Sequence, residues 1–268
     1  MADQSKVSIS PIFFNMIAGL AATELGETWH FRRKDGKIIA CKTDEGSQVI
    51  KFSMTFDDYS FGMEEDEITF HNIKEFLSSL KIQGYPKESP TLTRKLLKGT
   101  DAILIKQGKA NVWHRLSAKR NYAARYGFDK FIDARKMEAD AELPKMLIFD
   151  LTRDDVQSIY DKASKFKSEL LSFTKNSDGI VINFTSETDK VSEYSHDLLP
   201  EEVINFENTT ITDVTRFPYK FFHILRAVNC DVRVLVFGSE SRAGIAFYGS
   251  YVNGNVSVDV SATCPSKL

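Results

Sequence analysis

Apolar residues recur at helical spacing in four stretches of the chain, and each stretch is trailed by segments in which apolar and polar positions alternate. Ser10 can cap a helix opened by Pro11, with Ile12, Phe13, Met16, Ile17 and Leu20 on one stripe. Residues 72–81 repeat the pattern with Ile73, Phe76, Leu77 and Leu80. Thr152 followed by Asp155 has the form of a capping box ahead of Val156, Ile159, Tyr160 and Ala163. A fourth helix opens near Phe217-Pro218 and carries Phe221, Ile224, Leu225 and Val228. Two-residue alternation predicts strands over 28–33 and 37–41 about the turn Asp35-Gly36, then over 48–56. It predicts 101–106 and 110–116 about Gln107-Gly108-Lys109, and 169–174 and 179–185 about Ser177-Asp178-Gly179. A weaker strand follows at 203–207, and 231–237, 242–248 and 255–262 close the chain.

Helix starts near positions 10, 72, 152 and 217, each followed by strands, describe one unit written four times. The widest interval contains a stretch without periodicity that mixes charges with Phe128, Phe131 and Ile132, so it reads as a connector. The expected organisation is an N-terminal domain at 1–123, a connector at 124–144 and a C-terminal domain at 145–268. An unrelated α+β protein with alternating helices and hairpins satisfies the same pattern.

Of the 268 residues 42% are hydrophobic, enough for one large core or two ordinary ones, which excludes disorder as the main state. Lys plus Arg number 35 against 37 Asp plus Glu, so a polyanion would have to meet a locally basic surface. Cys41, Cys230 and Cys264 are odd in number and widely spaced, which suits a reducing cytoplasm. The apolar run 12–22 is interrupted by Asn15 and begins at a helix-start signal, so it reads as a helix of the fold and not as a leader. No run reaches the ~20 apolar residues of a bilayer-spanning helix, and no membrane partner is expected.

Catalytic signatures are missing. His30, His71, His114, His196 and His223 fall in different elements without zinc-ligand spacing. The segment 238–244 lacks the lysine of a phosphate-binding loop, and the run Glu64 to Glu67 reads as a solvated loop. No metal, cofactor or enzymatic activity is expected. More informative are cations on helices that also carry an apolar stripe: Lys74 and Lys81 on the second, Arg153, Lys162, Lys165 and Lys167 on or beside the third, and Arg216, Lys220 and Arg226 on the fourth. Gathered on one surface they would attract phosphates; spread around, they serve solvation and the helix dipole. The first helix has no cation between Ser10 and Leu25.

The order of elements, together with the strings 68–80, 149–156 leading into 178–183, and 219–228, resembles the DNA polymerase sliding clamps, most closely the phage type with two domains per chain. The resemblance implies an α+β DNA clamp fold of two similar domains, each built from two helix-plus-antiparallel-strand units, helices inside and sheets outside. It implies a homotrimeric ring in the cytoplasm of a phage-infected host, placed around double-stranded DNA by a clamp loader and tethering a DNA polymerase without bond chemistry. The nine cations named above become the expected DNA contacts. Ring closure between edge strands is expected to use Asn111, Val112 and Trp113 on one subunit and Val181, Ile182 and Phe184 on the next. Phe128, Phe131 and Ile132, with Val260 and Pro265, are the expected pocket for a partner peptide. A non-ring DNA-binding accessory protein is the principal alternative, and an enzyme with a site invisible in linear order is the other.

Overall fold

The computed structural model describes residues 6–22, 28–43, 51–57, 61–63, 67–116, 133–186, 194–211, 215–239, 242–253 and 256–266. In chain order its elements are β1 (Lys6–Ile9), α1 (Pro11–Ala22), β2 (Trp29–Lys34), β3 (Lys37–Thr43), β4 (Lys51–Asp57), β5 (Phe61–Met63), β6 (Glu67–Phe70), α2 (Ile73–Ile82), β7 (Thr91–Leu97), β8 (Thr100–Gln107) and β9 (Ala110–Arg115). There follow α3 (Ala134–Ala139), β10 (Lys145–Leu151), α4 (Arg153–Lys165), β11 (Leu170–Lys175), β12 (Ile180–Thr185), β13 (Tyr194–Leu198), β14 (Arg216–Pro218), α5 (Lys220–Val228), β15 (Val232–Ser239), β16 (Arg242–Asn253) and β17 (Val256–Pro265). Two compact units separate, one drawing on 1–43, 53–131 and 252–258, the other on 44–52, 132–251 and 259–268.

In the first unit, five strands run in the order β5-β1-β7-β8-β9, and β4-β3-β2-β6 are neighbours in a second ladder. Ser10 caps α1 by accepting a hydrogen bond from the Phe13 N–H at 3.1 Å, and Asn72 caps α2 through the Glu75 N–H at 3.0 Å. The α1 stripe buries Phe13, Phe14, Met16, Ile17 and Leu20, with Phe13 against Phe56 at 4.5 Å and Phe31 at 5.7 Å between ring centroids. Phe76 of α2 packs on Phe70 of β6 at 4.5 Å. Each fully buried phenylalanine contributes roughly 1.5–3 kcal/mol, so these rings hold the helices to their strands.

In the second unit, four strands run β13-β12-β11-β14, and β10-β15-β16-β17 are neighbours in another ladder. The capping box of α4 forms, with Thr152 Oγ1 accepting from the Asp155 N–H at 3.1 Å and Asp155 Oδ2 accepting from the Thr152 N–H at 3.1 Å. Val156, Ile159 and Ala163 of α4 and Phe221, Phe222, Ile224, Leu225 and Val228 of α5 are buried. Phe149, Phe173 and Phe217 form a chain of ring contacts at 5.7 and 6.1 Å.

Several elements differ from the sequence expectation. The weak strand at 203–207 is replaced by short 3₁₀ turns, Pro200–Glu202 and Phe206–Asn208, with Val203 alone bridging to Phe149. The end of the expected connector is α3, because Ala134 and Met137, one turn apart, pack against Leu235 and Ala246. Strands β1, β5, β6, β7, β10, β13 and β14 lie outside the segments in which alternation predicts strands. Among the described residues no helix is long and apolar enough to cross a membrane.

Candidate nucleic-acid interface and open sheet edges

Helical geometry decides which cations reach solvent together. On α2, Lys74 and Lys81 lie in one exposed row, seven residues apart, and Lys81 Nζ leans to 5.8 Å from the Phe14 ring of α1. On α4 the row opposite the buried stripe is mixed: Asp154 and Asp161 share it with Lys165. Lys162 turns aside, its Nζ 5.9 Å from the Tyr194 ring of β13. Arg153 is the first residue of α4 and pairs weakly with Asp154 at 3.8 Å, and Lys167 follows the helix in a left-handed turn, φ 51°.

Arg216 departs from expectation. It lies on the short strand β14, because residues 216–218 pair with β11 before α5 begins at Lys220. Arg226 of α5 is exposed but held: its guanidinium stacks 4.4 Å from the Tyr160 ring of α4, and Nε donates to Gln157 Oε1 at 3.4 Å. His223 meets Tyr160 and Tyr219 edge-on at 5.3 and 5.1 Å. The Tyr219 hydroxyl contacts Ser164 Oγ at 3.0 Å and donates to the Tyr160 carbonyl at 3.2 Å; burial pushes this phenol up to about 12, so it stays protonated and ties α4 to α5. The helix pair α4–α5 therefore presents a fixed guanidinium beside two exposed aspartates, a surface of mixed charge.

The sheet edges are the second feature. β9 ends the five-stranded order, so Asn111, Val112 and Trp113 lie on an edge strand. The Leu116 N–H donates to the Asp101 carbonyl at 2.8 Å, and alternation along the ladder then turns the backbone groups of Asn111, Trp113 and Arg115 outward. Trp113 is 39% exposed.

The expectation for Val181, Ile182 and Phe184 is corrected: β12 is an interior strand, flanked by β11 and β13. Its main-chain groups are already engaged by both neighbours, and Ile182 and Phe184 are buried, Phe184 against Tyr194, Tyr219 and Phe222. The edge is β13. The Asn176 N–H donates to the Gly179 carbonyl at 3.0 Å, which sets the phase of the β11–β12 ladder and leaves Ser195 and Asp197 as the residues of β13 whose backbone faces outward. Beside this edge Phe166 stacks on Tyr194 at 6.2 Å and is 39% exposed.

Of the expected peptide pocket, Phe128, Phe131 and Ile132 lie outside the described residues. Val260 is buried in the core, since it occupies an inward position of β17, and Pro265 is exposed. A cleft of about 630 Å³ in the second unit is lined by Asp150, Asp155, Glu201, Glu202 and Asp231 with Arg135 and Arg233. Its polar groups hold structure: Arg233 donates to Asp150 at 2.7 and 2.9 Å, and the Asp231 carboxylate accepts from the Arg153 N–H at 2.8 Å. An acidic lining repels phosphates. Among the described residues no group of His, Cys, Asp and Glu side chains is placed to hold a metal ion.

No family model matches the sequence, and no curated protein matches it either. The fold is another matter. The crystal structure of Proliferating Cellular Nuclear Antigen from Entamoeba histolytica matches with a TM-score of 0.61 over 100% of both chains at 12% identity. That of PCNA from Thermococcus kodakaraensis matches with a TM-score of 0.57 over 97% of this chain and 98% of that one at 17% identity. This is the DNA clamp fold. At such low identities the clamp fold is carried by the arrangement of helix and antiparallel sheet, which is why it could be seen in the order of elements.

Proposed function

We propose that the chain is a subunit of a DNA sliding clamp, a non-catalytic processivity factor for a DNA polymerase. Three copies close head to tail into a ring around duplex DNA, each joining β9 of one subunit to β13 of the next. The observation that carries this reading is the full-length match to clamp folds. Two strand edges that no other described strand covers, one on each unit, support it: such an edge is a template for pairing with another chain, and the proposed ring covers both. The exposed Trp113 on one edge and the Phe166–Tyr194 stack on the other supply aromatic anchors of the kind that dominate interfaces.

In this reading Lys74, Lys81, Lys165, Lys220 and Arg226 contact the phosphate backbone without reading bases, which permits sliding. Lys162 lies beside the subunit edge, and Arg153, Lys167 and Arg216 contribute to the field. A clamp loader and a phage-infected bacterial cell complete the proposal, as does a partner-peptide pocket involving Phe128, Phe131 and Ile132.

Light scattering on the purified protein is expected to give the mass of three chains. Protein loaded on nicked circular DNA is expected to stay bound at moderate salt and to be released when the circle is linearised. A monomer with equal retention on open and closed DNA would instead establish the non-ring accessory protein.

A further inference from the structure

The two open edges differ in charge. Residues 106–116, which include β9, carry Lys106, Lys109 and Arg115 and no Asp or Glu. Residues 194–202, which include β13, carry Asp197, Glu201 and Glu202 and no Lys or Arg. His196 does not offset this, because burial lowers its pKa and leaves it neutral near pH 7. Lys162 of α4 leans to this edge, its Nζ 5.9 Å from the Tyr194 ring.

Arg115 and Asp197 are exposed, and each lies at a position whose backbone points away from its own sheet. Among the described residues neither forms an ion pair. Side chains at such positions fall on the same face when two edges join, directly opposite or one diagonal step away, within reach of a long arginine.

We propose that Arg115 and Asp197 are the polarity pair of the subunit junction, meeting across two copies of this chain and making the head-to-tail joint the only one the edges accept. This rests on the sliding-clamp reading above. Like edges joined about a two-fold axis would bring two basic edges, or two acidic ones, side by side and repel. Unlike edges bring the charges together. The pair thus selects heterologous closure, which makes rings, over isologous pairing, which stops at a dimer.

The test is charge reversal with rescue. Arg115→Asp and Asp197→Arg are each expected to weaken self-association by about tenfold per junction, as expected for one charge pair turned from attraction to repulsion at an interface rim. The double variant, with both charges exchanged, is expected to recover the wild-type mass in sedimentation. The neutral pair Arg115→Gln with Asp197→Asn is expected to keep the fold by circular dichroism and to lose part of the salt dependence of association. Single variants that assemble like wild type, or a double variant no better than the singles, would remove the polarity pair while leaving the ring in place. Wild-type protein that stays monomeric at every concentration would remove the ring reading itself and the pair with it.

Discussion

Proline at Ser195 separates the subunit joint from the fold. The Ser195 N–H points away from β12, so its loss breaks no bond within the sheet, and Tyr194 before it is already extended, as the residue before a proline must be. A neighbouring chain would lose one main-chain bond, worth about 0.5–1.5 kcal/mol net, and would leave a carbonyl unpaired at a further cost of about 1–3 kcal/mol. A total near 2–4 kcal/mol per junction weakens association by about 30- to 700-fold. Sedimentation velocity across a dilution series is expected to show Ser195→Pro as monomer at concentrations where the proposed trimer of the wild type persists, with an unchanged thermal midpoint. His196→Pro is the matched control, because the His196 N–H faces β12, and this variant is expected to melt at a lower temperature. A Ser195→Pro protein that keeps the trimer mass, or one that melts as early as His196→Pro, would refute the assignment of β13 as the joining edge. Val181→Pro belongs with the second kind, since the backbone of Val181 faces β11 and the substitution attacks the sheet itself.

Neutralising Lys74, Lys81, Lys165 and Arg226 to glutamine together is expected to shorten retention on circular DNA and lower the salt slope of binding by as much as ~3–4, about 0.9 for each phosphate left without its cation, with the oligomer mass unchanged. Phe173→Ala is expected to cost about 3–5 kcal/mol in urea unfolding, since the ring is fully buried between Phe149 and Phe217. Thr152→Ala removes the α4 cap and is expected to cost about 1 kcal/mol by the same measurement. Burial lowers the pKa of His30, His114 and His196 in the folded protein, so the unfolded chain binds more protons at these sites as pH falls below the ordinary value of 6.5. Their contribution to stability is complete above pH 6.5 and is lost on acidification from there toward the folded values; urea midpoints that rise between pH 7.5 and 5.5 would contradict this.

Local chemistry made part of the molecule legible from the residues alone. The caps at Ser10 and Thr152 and the turns at Asp35-Gly36 and Asp178-Gly179 mark boundaries whose backbone demands few other residues satisfy. Strand β7 escaped because a buried arginine breaks its pattern: Arg94 is 5% exposed and is balanced by Asp101, whose oxygens accept from Nε at 2.8 and 2.9 Å. Strand β13, Tyr-Ser-His-Asp-Leu, escaped because an edge that meets water on one side and a neighbour on the other needs only one fully apolar inward residue, Leu198. Missing it moved the expected joint one strand inward, onto Val181, Ile182 and Phe184. Arg216 was assigned to the wrong element for a related reason, since a three-residue strand is too short to show a period.

The backbone of Leu199 is fully occupied just past β13: its N–H donates to Glu202 Oε2 at 2.7 Å and its carbonyl accepts from the Glu202 N–H at 2.9 Å. That knot acts as a stop on the zipper. In the proposed ring, a neighbouring strand running along this edge would find Ser195 and Asp197 and then no more free teeth in that direction, so the seam would be held by few main-chain bonds and by the side chains around them. If the proposed ring forms, a hoop fastened this lightly would be prised apart at one seam and snapped shut again, while the sheets on either side keep their shape.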